Sequence, residues 1–394
     1  MRFMILGAGM QGRACAFDML KNPAVEEILL ADSRAENLRQ AQSYLKSPKL
    51  KTARADAGDP ARVAALARGR DALVSAVPYF FNLPLAKAAL AARTSFIDLG
   101  GNTGIVLKEL ALHEQAKRAG VAILPDVGLG PGMISIIAVH GINQLDEADE
   151  VLIRDGGLPQ KPAAPMNYML TFSEHGLINE YVENATALRD YKRVEVPGLS
   201  EVETLDLPAP LGRCEAAHAA GGLSTMAWTY AGKVRFMDNK LIRYPGHIAV
   251  INAMRAMGFF DGKPRPFGKL RLSPRELSAR LFREHFDRPG DKDLVVIKVT
   301  VRGRKNGRRA ELVYSMLDYY DEAHRMTAMM RTTGFPVSIV AQMAAQRRIP
   351  PGAYPVETGV PPEAFLAEIR RRGFNLSWKL RYLKPDPARL ISNR

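Results

Sequence analysis

The chain has 394 residues, 47% hydrophobic and 24% charged, a composition that suits a globular protein of two or three domains and excludes a disordered or fibrous one. Its two cysteines, Cys15 and Cys214, form neither a disulfide framework nor a metal-ligand set, which points to a reducing, cytoplasmic setting. The net charge of +14 comes from local clusters near 302–309, 347–348 and 370–372, read as basic surface and not as a nucleic-acid footprint; no apolar run is long enough for a membrane span, and no signal peptide is expected ahead of the first strand.

The first residues, Met-Arg-Phe-Met-Ile-Leu, read as a buried strand that runs into Gly7-Ala8-Gly9-Met10-Gln11-Gly12. In this Gly-x-Gly-x-x-Gly turn Gly7 permits the tight bend, Gly9 lets the backbone approach a pyrophosphate, and Gly12 lets helix and strand pack closely. The helix opening at Met10 and Gln11 presents free N–H groups and a partial positive charge to the phosphates. A second strand, Glu27 to Ala31, ends in Asp32, twenty residues beyond Gly12. An acid there accepts hydrogen bonds from the ribose hydroxyls of NAD and repels the 2′-phosphate of NADP. Ser33 and Arg34 follow, and an arginine at that place sometimes holds the 2′-phosphate.

Next come a helix over Ala35–Leu45 and a strand over Lys51–Asp56, with Asp56 beside the adenine pocket. Asp59 caps a helix whose first turn holds Pro60. A fourth strand runs from Asp71 and delivers Ser75, Ala76, Val77 and Pro78 to its carboxyl end, along the cofactor. A fifth ends in Asp98-Leu99-Gly100-Gly101-Asn102, with Asp98 and Gly100 expected at the cofactor. A helix over Val106–Ala119 closes at Gly120, and a sixth strand, Val121–Leu124, enters the turn Pro125-Asp126-Val127-Gly128-Leu129-Gly130-Pro131-Gly132-Met133. The helix Ile134–Ile142 then crosses to a second domain.

The alternation up to about 125 predicts an α/β fold, a Rossmann doubly wound parallel sheet. From about 150 short strands with Pro and Gly punctuation predict an inserted α+β domain with a mixed or antiparallel sheet. Within it, 294–317 is a hairpin turning at Asn306-Gly307. Helices are expected over Ile339–Arg347 and Pro362–Arg372, packing back on the first domain. The resulting division is 1–130 for the dinucleotide, 131–330 for substrate, and 331–394 for the returning helices.

With these motifs in place, the chain resembles the saccharopine dehydrogenase-like family, and within it the lysine 6-dehydrogenases. The resemblance rests on Ile5–Gly12, Ser75–Pro78, Asp98–Asn102, Pro125–Met133, Gly156-Gly157-Leu158-Pro159, Asn167-Tyr168, Phe172-Ser173, Glu180-Tyr181, Gly222-Leu223-Ser224-Thr225, Arg243-Tyr244-Pro245-Gly246-His247 and Thr332-Thr333-Gly334-Phe335-Pro336. It implies a Rossmann domain with an inserted domain that covers the nicotinamide and supports a homodimer. It also implies NAD-dependent oxidation of L-lysine, a small amino-acid substrate, at the ε-carbon, with an imine hydrolysed to ammonia and an aldehyde that cyclises. A sibling activity, making or cleaving a secondary amine as saccharopine or carboxynorspermidine dehydrogenases do, needs more cationic clamps; Arg154, Arg189, Arg193, Arg213 and Arg235 are candidates. A protein that kept the fold without the chemistry is the non-enzymatic alternative.

Such chemistry needs a group that takes a proton from an amine of pKa about 10.4 and a site that holds the ε-carbon against the nicotinamide. Asp126, at a strand end facing the crevice, is the leading candidate; its alternative is a loop carboxylate satisfied by nearby backbone N–H groups. His247 is the candidate general base, because an imidazole titrates near neutral pH. Arg243 offers a forked clamp for the α-carboxylate, or is a surface arginine. Tyr168 and Thr225 are possible hydrogen-bond partners, and Glu174 a weaker candidate for an α-ammonium. The other histidines show no metal-ligand spacing, and no catalytic metal is expected.

Overall fold

The computed structural model describes residues 1–288 and 290–384, so the expected segment 331–394 extends beyond the described residues. In chain order the first half contains β1 (Arg2–Leu6), α1 (Met10–Leu20), β2 (Glu27–Asp32), α2 (Ala35–Leu45), β3 (Leu50–Arg54), α3 (Pro60–Ala67), β4 (Ala72–Ser75), α4 (Asn82–Ala92), β5 (Ser95–Asp98), α5 (Thr103–Leu110), α6 (His113–Ala119) and β6 (Ala122–Leu124). The inner strands β1, β4 and β5 are short, apolar and buried on both faces, as a parallel sheet covered by helices demands, whereas the edge strand β3 is partly exposed. Their order is β3-β2-β1-β4-β5-β6, all parallel, which is the Rossmann order.

Local signals account for many boundaries. Asp59 accepts a hydrogen bond from Arg62 N, and Pro60 fills the first turn of α3. Asn102 caps α5 through Ile105 N. The expected helix 106–119 is two helices, because the chain turns at Ala111 and Leu112; Gly120 does end the second, at φ +71°.

The chain then leaves through α7 (Met133–Asn143) and builds β7 (Glu147–Pro159), α8 (Glu174–Val182), β8 (Ala185–Arg189), β9 (Lys192–Val196), β10 (Glu203–Leu207), β11 (Gly212–His218), α9 (Met226–Thr229), β12 (Phe236–Arg243) and α10 (His247–Ala256). A small ribbon, β13 (Arg265–Phe267) with β14 (Leu270–Leu272), precedes α11 (Pro274–Phe286), β15 (Asp293–Lys305) and β16 (Arg308–Tyr319). The second sheet runs β10-β11-β12-β7-β15-β16, extended by β8 and β9 on β12, and is mixed because β12 lies parallel to β7. Asn306 and Gly307 turn the long hairpin at φ +52° and +70°. The basic tip is matched by acids: Arg302 meets Glu150 and Glu311, Arg304 meets Glu147, and Lys305 meets Asp146.

The final elements are α12 (Ala328–Ala345), β17 (Gly352–Ala353), α13 (Val356–Gly359), α14 (Pro362–Arg371) and β18 (Ser377–Tyr382). α12 starts eleven residues before the expected Ile339, and holds Pro336 in its interior. It lies against α1, β4 and β5, and α14 packs on α7 and α12. A Cβ at Gly334 would lie 2.5 Å from Ala14 Cβ and 2.9 Å from Cys15 N, so this glycine sets the close approach of α12 to α1. β17 adds a seventh parallel strand beside β6, whereas β18 joins the second sheet beside β16. The last segment is therefore shared between both sheets and is more than helical. No described helix is long and apolar enough to cross a membrane.

Candidate active site

The glycine turn has the shape its residues require. Gly7 sits at φ +106°, with Ala76 O where a Cβ would go, and Gly12 packs on Gly7 O. A Cβ on Gly9 would meet nothing within 4 Å, so open space lies before the N-terminus of α1. No side chain caps that helix, and its first turn holds no acid. Met10 is 39% exposed at the rim. Gln11 Oε1 is buried without a partner. An uncapped helix end, an open glycine and an orphaned amide oxygen together fit the diphosphate of a dinucleotide.

Asp32 closes the far side of this cleft. Its carboxylate accepts from Ala8 N and Arg34 N at 2.8 Å and from the Asn37 amide. The Arg34 and Ser33 side chains are exposed, and Asp56 is an exposed loop acid that accepts from Gly58 N. Ser75 differs from expectation: its hydroxyl is buried and donates to Asn82 Oδ1, so only the chain at Ala76, Val77 and Pro78 is left to line the crevice.

The carboxyl ends of β5 and β6 bring Asp98, Gly100 and Asp126 together. Asp98 Oδ1 accepts from Gly100 N at 2.6 Å and from Asp126 N at 3.2 Å. Asp126 lies in the left-handed region at φ +62° and is 3% exposed. Its Oδ2 accepts the Ser224 hydroxyl, while Oδ1 has no partner. The backbone around Gly128 does not satisfy it, because Gly128 N is spent on Pro131 O. Burial and the charge of Asp98 push Asp126 up to about 7.

The second domain supplies the other wall. A Cβ at Gly130 would approach Asp155 Oδ2 to 3.1 Å, and Asn239 Nδ2 donates to Asp155 Oδ1 at 2.7 Å. Gly222, two residues before Ser224, packs on Asn239 Oδ1. Behind Asp155 stands Arg243, 3% exposed, with Nε donating to the Tyr181 hydroxyl at 3.1 Å and Nη2 at 4.0 Å from Glu180. Its guanidinium lies 5.2 Å from the ring centre of Tyr168, whose hydroxyl is buried without a partner, as is that of Thr171. Burial pushes Asp155 up to about 6 and Glu180 up to about 8, each opposed by Arg243. Asp126, Asp155, Asn239, Arg243 and Glu180 are together the candidate lining of the site.

Two expected roles change with the geometry. His247 is 2% exposed; Nδ1 lies 3.0 Å from Met166 O and Nε2 2.9 Å from the Tyr181 hydroxyl. Burial and the charge of Arg243 push it down to about 3, so it does not titrate near neutral pH and instead holds Tyr181 beneath Arg243. The Thr225 hydroxyl is turned away to Glu357 at 3.0 Å, and the adjacent Ser224 meets Asp126 in its place. Glu174 pairs with Arg283 outside the lining. Glu109, Asp155, Glu180 and Asn239 were not singled out by sequence, although Glu180 and Ser224 fall within motifs quoted above.

Among the described residues, Glu201, His218 and Asp238 are close enough to share a cation. Arg189 and Arg154 already occupy that place, pairing with Glu201 and Asp238. They also show that the possible clamp arginines have other partners: Arg154 meets Glu203, Arg235 meets Asp149 and Glu150, Arg213 meets Asp206, and Arg193 lies 4.2 Å over the Trp228 ring.

Comparison with known proteins gives the family and the fold. The family model described as saccharopine dehydrogenase C-terminal domain matches residues 128–374, and the saccharopine dehydrogenase NADP binding domain matches residues 3–124. The chain belongs to the saccharopine dehydrogenase family. It is 24% identical over 272 residues to the mitochondrial alpha-aminoadipic semialdehyde synthase of Bos taurus, covering 66% of this chain but only 28% of the bovine protein. It is 24% identical over 339 residues to the carboxynorspermidine synthase of Vibrio cholerae, covering 80% of this chain and 78% of that one. The apo saccharopine dehydrogenase (L-Glu forming) of Saccharomyces cerevisiae has the same fold, at a TM-score of 0.77 and 16% identity over 96% of this chain and 99% of the yeast chain. This saccharopine dehydrogenase family member therefore has an NAD(P)-binding Rossmann domain and a mixed-sheet second domain.

Proposed function

We propose that the protein is an NAD-dependent amine dehydrogenase that oxidises L-lysine at its ε-carbon, releasing ammonia and a cyclising aldehyde. One observation carries this reading: the buried guanidinium of Arg243 acts on the carboxyl groups of Asp155 and Glu180, with the Asp126 carboxyl further along the site, whereas Arg154, also buried, is held in ion pairs with Glu203 and Asp238. That balance suits a substrate with one carboxylate and two amines. Arg243 takes the α-carboxylate, and Glu180 and Asp155 face the α-ammonium. Asp126 receives the proton of the ε-ammonium, which frees the nitrogen lone pair; a nicotinamide held at the glycine turn would be the hydride acceptor for the ε-carbon. Saccharopine carries three carboxylates, and the arginines that would clamp two more are paired elsewhere. NAD is favoured over NADP by Asp32, an anion at the ribose end of the cleft.

The same charge balance admits a carboxyalkyl polyamine. The Vibrio cholerae relative, matched over most of both chains, makes reductive condensation of that kind the second reading. The test is absorbance of NADH with purified protein, NAD and L-lysine at alkaline pH, beside L-saccharopine and carboxyalkyl diamines. Lysine-dependent NADH with free ammonia supports oxidative deamination. Turnover of saccharopine or the polyamine alone replaces it.

A further inference from the structure

At the carboxyl ends of β5 and β6 Asp98 is joined to Asp126 through the Asp126 N–H, and the Glu109 side chain of α5 reaches the Asp98 side chain; of these three carboxyl groups the chemistry above uses only one. Asp98, Glu109 and Asp126 are 0%, 0% and 3% exposed. Asp98 Oδ1 accepts two backbone N–H groups, which favours its ionised form, whereas Oδ2 has no partner. Both oxygens of Glu109 are buried with no hydrogen-bond donor from another residue. Three buried carboxyls that close do not all ionise, and the one without donors keeps its proton.

We propose that Glu109 is a positioning residue that holds a proton against Asp98, leaving Asp126 as the group of the three that exchanges a proton with the substrate amine. This rests on the amine-oxidation reading. The transfer itself is simple. The ammonium N–H bond breaks, its proton passes to Asp126 Oδ1, and the nitrogen keeps the electron pair. Glu109 keeps its own proton throughout. The charged groups acting on the cluster are Asp98 from β5, Asp126 from the turn after β6 and, on Asp126, Glu357 from α13. Burial first, then the charges of Asp98 and Asp126, push Glu109 upward; burial also raises Asp98, but its backbone N–H bonds oppose that.

Two readouts test the proposal. In the apoprotein at mildly alkaline pH, the infrared difference between wild type and Glu109→Gln is expected to contain the carbonyl stretch of a protonated carboxylic acid. A difference without that band overturns the proposal whatever the substrate is. In the pH profile of kcat/KM for whichever amine is turned over, Glu109→Gln keeps a neutral donor and leaves the acidic limb in place. Glu109→Leu removes the donor, Asp98 takes the proton, and the limb falls by about one pH unit. If Glu109→Leu does not fold, Asp98→Asn is expected to lower the limb in the same direction, because Asp126 loses its anionic neighbour. A limb that moves in Glu109→Gln, or stays put in both other variants, overturns the role. If no amine is turned over, the functional reading fails while the infrared arm still decides Glu109.

Discussion

Gly100 and Asp126 are in direct contact: Asp126 Oδ1 occupies the place a Cβ on Gly100 would take, and Gly100 sits at φ +75°. Gly100→Ala therefore meets both a steric and a conformational penalty. Backbone strain of this kind costs about 1–3 kcal/mol, and relief requires Asp126 to move off the Ser224 hydroxyl. A lowered Tm with a larger loss in kcat than in dinucleotide affinity is expected. Wild-type turnover in Gly100→Ala would show that the placement of Asp126 is immaterial.

Asp126→Asn preserves shape and removes the proton acceptor. Loss of a positioned acid or base lowers turnover by about 10²–10⁴-fold. Because Asp126 is not part of the diphosphate cradle, the dissociation constant for NAD, measured by fluorescence quenching, is expected to stay within about twofold. In wild type, kcat/KM is expected to rise with pH through about 7, as Asp126 becomes ionised.

Arg243→Lys shortens the fork and disturbs the contacts to Tyr181 and Glu180. A hydrogen bond to a charged group is worth about 1.5–3 kcal/mol, so KM for L-lysine should rise roughly 10- to 100-fold. The decarboxylated diamine, which lacks the group Arg243 is assigned to bind, should show little further change. Equal losses for both amines would remove Arg243 from carboxylate recognition.

Asp32→Ser removes the anion at the ribose end. Discrimination between NAD and NADP is expected to relax by about tenfold or more, read as the ratio of kcat/KM values. An unchanged ratio would mean that Asp32 acts only on Ala8 N, Arg34 N and Asn37.

His247 gives a stability prediction with a definite sign. Its folded-state value of about 3 lies below the ordinary 6.5, so the unfolded chain binds the extra proton. The contribution is complete above about pH 6.5 and is lost as pH falls toward 3. It amounts to roughly 5 kcal/mol over that window. Asp126 and Asp155, raised by burial, act in the opposite direction, so the difference between wild type and His247→Gln isolates the histidine. The variant keeps an acceptor for Tyr181, and its Tm is expected to fall less than that of wild type on acidification. Parallel curves would contradict a buried neutral imidazole.

The dinucleotide half was legible because its determinants are local. Gly7, Gly9, Gly12 and Asp32 lie within one strand–helix–strand unit, and each performs a backbone task that few residue types can do. The substrate half was only partly legible. Asp155 lies mid-strand in β7, Asn239 in β12 and Glu180 in α8, and only the mixed sheet brings them together. Glu109 follows Lys108 on a short helix with no local signal to mark it, and the fold buries it completely. His247 was given a role from its side-chain chemistry alone, and its environment reverses that chemistry. Gly334 and Pro336 fall before the expected helix start at Ile339, yet both lie inside α12, where Gly334 serves the packing against α1.

The last of these contacts bears on how the protein is made. The dinucleotide-binding sheet begins at β1, but one of its faces is covered by α12 and one of its edges is β17. During synthesis the nascent glycine turn therefore waits with α1 uncovered until residues 328–353 have left the ribosome. A chain cut before α12 is therefore expected to carry the whole glycine turn and still lack the surface against which the α1 helix packs.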